Sequence, residues 1–234
     1  PPKAELDAVA PGARIRRDPA TGEPTGVVYE CVDWVLGMCN PWPYDALKGA
    51  IEATCREAVR FGVTSIHEFV SWPESSRIYQ ELHRNRELPL RIQLCPAVWG
   101  MYHTVDLDPL LKLGIQTGFG NDWIKFGSVK IFVDGEGRDE SGVAREWTRI
   151  TQDHLNELVL GAHRAGIRVM MHATSREGQG MAIDAVEAAL KAAPRSDHRH
   201  RIEHFAGDYW PEGLARLKRS GIIPVPTPYS SLGW

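Results

Sequence analysis

From residue 45 onward the chain alternates helical and strand periodicity, and that alternation constrains the fold more than any other feature. In residues 45–61, Ala46, Leu47, Ala50, Ile51, Cys55, Ala58 and Val59 recur at three- and four-residue spacing, which predicts a helix stopped by Gly62. Residues 63–69 (VTSIHEF) read as a short strand, 74–86 as a helix and 90–98 (LRIQLCPAV) as a second strand. Residues 128–134 (SVKIFVD) form a third. Thr151 is placed to cap a helix reaching 165, with Asp153 near its positive end. Then follow a strand at 168–173 (RVMMHA), a helix at 180–193, a strand at 201–205, a helix at 211–219 and a strand at 222–227.

Strands separated by helices imply an α/β fold with a parallel sheet and right-handed crossovers. A doubly wound sheet and a (β/α)8 TIM barrel are the two closures available. No G-x-G-x-x-G follows a strand and no P-loop signature occurs, which weakens the nucleotide-binding doubly wound form. His67, Lys130, Asp134, His172 and His204 fall near the C-terminal ends of strands, where a barrel carries its chemistry. The barrel is therefore favoured, with six strands, 2 to 7, visible. Residues 1–44, which include the turn-dense DPATGEPTG, read as a Pro/Gly-rich connecting segment; residues 45–234 read as a partial barrel domain.

Composition excludes several partners. The net charge of -3 gives no basic face for nucleic acid, and no apolar run is long enough to span a bilayer. Cys31, Cys39, Cys55 and Cys95 make no C-x-x-C pair and read as reduced thiols, consistent with a cytoplasmic protein. The N-terminus lacks the apolar core of a signal peptide and lacks Met, so the chain reads as processed or as the central part of something longer.

Lys130, His172 and His204 carry the chemical signal. Taken singly, Lys130 reads as a lysine salt-bridged to Asp134 or Glu203, and His172 as a hydrogen-bonded core histidine. Their recurrence on three successive strands, near the same end, points instead to a metal. Neutral imidazole binds Zn²⁺ through either nitrogen. A lysine whose pKa is lowered by burial can capture carbon dioxide as a carbamate, a carboxylate on a long arm.

VKIFVDG (129–135), RVMMHA (168–173), HRIEHF (200–205), REAVRFGVTSIHE (56–68), LPLRIQL (88–94) and RRDPATGEPTGVVYE (16–30) together resemble the amidohydrolase superfamily. They look most like its family-3 branch of metal-dependent hydrolases, which includes formamide deformylase-like enzymes. The resemblance implies a distorted (β/α)8 barrel beside a small β-sandwich. It implies a divalent metal, most simply one or two Zn²⁺, held by carboxylated Lys130 on barrel strand 4, His172 on strand 5 and His204 on strand 6. The activity it implies is hydrolysis of an amide-type, non-peptide C–N bond in a small molecule, and it is compatible with a homo-oligomer. The strand-1 His-x-His would precede residue 1, and the proton-transfer Asp would follow Trp234. The chain departs from the family after His172, where ATSREGQGMAID replaces a Gly-Asp-Arg type segment.

Lining candidates are His67, Trp99, Tyr102, His103, Asp134 and Tyr229. Within HRHRIEHF, strand alternation places His204 with Ile202 on one face and Arg201 with Glu203 on the other, pairing outside the barrel. His200 enters the strand about 13 Å from His204, at ~3.3 Å per residue. His198 reads as solvated, and His83, His154 and His163 as structural or surface residues. Three readings compete: a hydrolase of the same superfamily acting on a lactone or by deamination, a truncated or degenerate non-catalytic barrel, and a doubly wound binding domain.

Overall fold

The computed structural model describes residues 14–29, 35, 42–70, 72–100, 104–138, 144–205 and 210–227. An antiparallel hairpin of β1 (Arg14–Arg17) and β2 (Pro24–Tyr29) comes first. It is followed by α1 (Tyr44–Arg60), β3 (Ser65–Val70), α2 (Pro73–Arg84), β4 (Arg91–Trp99), α3 (Leu107–Lys112), β5 (Ile124–Phe126) and β6 (Ser128–Phe132). A second hairpin joins β7 (Asp134–Arg138) to β8 (Ala144–Thr148). Then come α4 (Gln152–Arg164), β9 (Arg168–His172), α5 (Arg176–Ala192), β10 (Arg201–Glu203), α6 (Pro211–Ser220) and β11 (Ile223–Val225).

The six strands read from the sequence form one parallel sheet in the order β11-β10-β9-β6-β4-β3, with β5 also beside β4. Residues of β5 pair with the first half of β4 and residues of β6 with the second half, so β5 and β6 act as one strand broken at Gly127. The order follows the chain without reversing. A doubly wound sheet reverses at its switch point, so that reading is set aside; the sheet is a curled half-barrel of the incomplete TIM type.

One contact measures the curl. Arg201 Nη1 on β10 lies 2.6 Å from His67 Nδ1 on β3. Between these strands stand β9, β6 and β4. In a flat sheet four strand spacings would separate them by about 19 Å, far beyond an arginine's reach. The sheet therefore bends until its concave face closes across itself.

Alternation decides which side chains face each way. Val129 and Ile131 of β6, Val169 and Met171 of β9 and Ile202 of β10 turn outward into one core with Leu155, Val159, Ile183, Val186 and Leu217 of the covering helices. A second core joins Ile92 to Cys55, Ile78, Tyr79 and Leu82 of α1 and α2. Among the described residues no helix is long and apolar enough to cross a membrane. Cys55 and Cys95 are buried free thiols; Cys31 and Cys39 lie outside the described residues.

Helix ends mostly agree with the sequence, with one instructive exception. α5 begins at Arg176, four residues before the apolar pattern does, because the Ser175 side chain caps it by accepting from Gly178 N at 2.9 Å.

The histidines of HRHRIEHF also differ from expectation. His198, expected in solvent, is 2% exposed, and His163 is buried as well. His198 and His200 each accept a backbone N–H at Nδ1, from His200 and Val169 respectively. Their protons therefore sit on Nε2. His198 Nε2 donates to Ser220 O at 2.7 Å; His200 Nε2 donates to His163 Nδ1 at 2.9 Å; His163 Nε2 donates to Ala193 O at 2.6 Å. All six ring nitrogens are used, and only in the neutral state. This network ties β9, β10 and the C-terminal ends of α4, α5 and α6 together.

Burial, then the neighbouring His198 and His163, push the His200 pKa down to about 2, and burial lowers that of His163. Unfolding releases both to their ordinary value near 6.5. Their contribution to stability is thus complete above pH ~6.5 and is lost as pH falls below it, because the unfolded chain then binds more protons. His200 alone adds a slope of about 1.4 kcal/mol per pH unit over that range. Urea unfolding from pH 7 to 4.5 is expected to show falling stability, and His200→Gln, whatever its absolute stability, a shallower fall. An unchanged slope in the variant would contradict this account.

Candidate active site

The concave face is built from the residues that alternate away from the outer cores. Lys130 of β6, Met170 of β9 and Arg201 of β10 form one row across the ladder; Phe132, His172 and Glu203 form the next, toward the C-terminal ends. Ala97 of β4 extends the Lys130 row. Lys130 is 2% exposed and sits in a strand buried along its whole length. Its Nζ lies 4.9 Å from the Phe132 ring centroid and 6.0 Å from that of Phe69, so the side chain extends toward the C-terminal row. Among the described residues the amine makes no hydrogen bond or ion pair. Burial lowers its pKa to about 8, partly opposed by Glu203.

His172 closes β9. Its ring stands 5.3 Å from Phe132 and 4.7 Å from His204 between centroids. Neither ring nitrogen makes a hydrogen bond among the described residues; Asp134 Oδ1, at 3.8 Å from Nε2, is too far. Burial, then the Lys130 charge, brings its pKa to about 3, so the imidazole is neutral.

His204 reaches this place by a route that strand alternation does not provide. β10 ends at Glu203, and His204 takes φ +57°, in the left-handed region. The break turns its ring away from the side of Ile202 and toward His172. Thr227 Oγ1 holds Nδ1 at 2.9 Å, and Nε2 makes no hydrogen bond among the described residues. Its pKa too is lowered, first by burial and then by Lys130.

Arg201 and Glu203 pair as expected, at 2.7 Å, but on the concave side, not outside the barrel. The reason is that Ile202 takes the outward position. The same guanidinium donates to His67 Nδ1, which is therefore neutral with its proton on Nε2. His67 stands in the middle of β3 rather than at its end, engaged by Arg201.

The remaining lining candidates separate. Asp134 is 1% exposed, and although Oδ1 comes within 3.8 Å of His172 Nε2 its oxygens are engaged by the residues that follow His172. It accepts from the backbone of Thr174 at 3.0 Å and from the backbone and hydroxyl of Ser175, each at 2.7 Å, and so fixes the start of α5. Trp99, beyond a bulge in β4, turns outward, donates to Arg149 O at 3.1 Å and meets His154 edge-on. There it walls a cavity of about 360 Å³ with Thr148, Arg149 and Thr151. Tyr102, His103 and Tyr229 lie outside the described residues.

The donor set fits a cation only in part. Among the described residues no three His, Cys, Asp or Glu side chains come together as a ligand set. His172 and His204 offer neutral nitrogens side by side; the Asp134 carboxylate stands 3.8 Å from His172 but is taken up by residues 174–175, and the Lys130 amine beneath them can ligate only once uncharged or carboxylated. The roles of Thr227 and Ser175, and the contact of Arg201 with His67, do not show in the sequence, since in each the partner lies at least 23 residues away.

Gly178 shows how tightly the Asp134 anchor is built. A Cβ there would overlap Asp134 Oδ2 and Cγ. Helix propensity alone favours Gly178→Ala by about 1 kcal/mol. The overlap is with a carboxylate held by four donors, the Thr174 hydroxyl at 3.4 Å joining the three named above, and forcing it aside costs about 1–3 kcal/mol. Denaturant titration is expected to show net destabilisation of the variant; a more stable protein would mean that Asp134 moves freely.

Comparison with known proteins agrees with this architecture. The amidohydrolase-family model matches residues 3–228. An uncharacterised metal-dependent hydrolase from Pyrococcus furiosus superposes with a TM-score of 0.67 at 20% identity, covering 96% of this chain and 46% of its own. One from Pyrococcus horikoshii OT3 gives 0.69 at 18% identity, covering 97% and 45%. A guanine deaminase from C. acetobutylicum, solved with guanine in its active site, gives 0.52 at 10% identity, covering 86% and 47%. The chain thus spans about half the length of these structures. Comparison with curated protein sequences returns no match. On the family match over nearly its whole length, the chain belongs to the amidohydrolase family.

Proposed function

We propose that the protein hydrolyses an amide-type, non-peptide C–N bond of a small molecule, with Lys130, His172 and His204 holding a divalent metal. The observation that carries this is a lysine amine buried in a strand, with no hydrogen-bonding partner among the described residues, beside two neutral histidines. A divalent ion, most simply Zn²⁺, would supply polarisation of the scissile carbonyl and acidification of water. The chain's residues prepare for that. Burial leaves an appreciable fraction of Lys130 uncharged at neutral pH. The free amine can bond the carbon of carbon dioxide and release one proton, giving a carbamate. Thr227 orients His204 so that Nε2 faces outward from its hydrogen bond. Asp134 is a positioning residue: it holds residues 174–175 immediately after His172.

In this proposal residues 1–44 are connection, residues 45–234 are barrel, and the protein lies in the cytoplasm, which suits the reduced Cys55 and Cys95.

Elemental analysis of the full protein is expected to find one or two equivalents of divalent metal. Lys130→Ala should lose most of it, and Thr227→Val should bind metal about 10–100-fold more weakly. A screen of amides, lactones and aminated rings with Zn²⁺, Mn²⁺ and Co²⁺ should show metal-dependent turnover of the amides. Full metal content in Lys130→Ala, with unchanged turnover, would contradict the ligand assignment.

A further inference from the structure

A second polar cleft, of about 190 Å³, opens at the N-terminal end of the sheet, opposite the Lys130, His172 and His204 end. Arg168, Arg195 and Arg199 line it with Asp197 and Thr117. Arg168 is the first residue of β9, on the same side of the sheet as Ser128. Arg195 and Arg199 come from the connection between α5 and β10.

The charges there do not balance. Asp197 pairs with Arg199 through two hydrogen bonds, at 2.7 and 3.0 Å, and both side chains are largely exposed. That leaves Arg168 and Arg195. Arg195 Nη1 donates to His163 O at 3.1 Å, which caps the C-terminal end of α4 and accounts for one of its five donors. Its Nε is buried and makes no hydrogen bond among the described residues. The Arg168 guanidinium makes no hydrogen bond or ion pair among the described residues. Partial burial disfavours its charge, and Arg199 and Arg201 add to that. Two cations thus share a partly desolvated cleft in which Asp197, the one lining carboxylate among the described residues, attracts both but is hydrogen-bonded to Arg199, an arrangement that leaves excess positive charge until an anion enters.

We propose that this cleft binds a phosphate-type oxyanion between Arg168 and Arg195. The planar guanidinium presents paired donors that match the oxygens of a phosphoryl group. The site is preorganised. The backbone and ring of His198, beside the cleft, are fixed by the neutral histidine network, and Arg168 N donates to Thr117 Oγ1 at 2.9 Å. It lies at the end of the barrel that does not carry the proposed metal ligands, so it stands independently of the catalytic reading.

The test is a thermal-shift titration of the full protein with inorganic phosphate, against sodium chloride at matched ionic strength to remove general screening. At ten times its dissociation constant, phosphate should raise the melting temperature by roughly 3–5 °C beyond the chloride control. Arg168→Gln and Arg195→Gln should each weaken the response at least about tenfold, whereas Arg77→Gln, a surface pair on α2, should leave it intact. Arg168→Lys, which keeps the charge but not the fork, should retain a weakened response and serves if the glutamine variants do not fold. Equal shifts with phosphate and chloride, or an undiminished phosphate response in the Arg168 variants, would overturn the proposal.

Discussion

The arrangement depends on one unfavourable act, the burial of the Lys130 amine. A charged ammonium without hydrogen bonds inside a sheet is among the costliest groups a protein can hold. The chain lowers that cost in two ways it can be seen to use. The amine lies against the faces of Phe132 and Phe69, whose ring quadrupoles attract a cation. Burial also shifts its pKa to about 8, so the neutral form is accessible. Everything around it suits a group poised between charged and uncharged states. His172 and His204 are kept neutral beside it, and Arg201 draws the Glu203 carboxylate into a pair of its own.

The same concave face makes use of the curl that strand twist gives the sheet. Its rows carry Lys130, Arg201 and Glu203 where a flat sheet would need apolar side chains. Arg201 resolves this by reaching across to His67, and the bend that permits the contact is the bend of a barrel. Outward-facing Val129, Ile131, Val169, Met171 and Ile202 meanwhile bind the helices to the convex side. One alternating pattern therefore produces both the packing and the site.

Much of this was legible in the sequence. The βα rhythm gave every strand of the parallel sheet except the short β5, and the polar residues among apolar strands marked Lys130 and His172. Local pattern failed where a distant partner decides. α5 starts early because Asp134, 41 residues before Ser175, anchors its cap. His204 faces His172 because one residue leaves the strand conformation, which no alternation count shows. His198 looked solvated in a run of charged residues, yet Ser220 O waits for its proton. Trp99, at a strand end, has the position of a wall of the active-site mouth, but the bulge in β4 turns it outward.

The central claim is that the Lys130 amine is buried so as to be reactive and ligating. It is tested most directly by carbon-13 NMR of the full protein equilibrated with labelled bicarbonate at neutral pH. The account predicts one slowly exchanging carbamate resonance, present in the wild type and absent from Lys130→Ala and Lys130→Arg. No such resonance in the metal-loaded wild type, or one that persists in both variants, would contradict it.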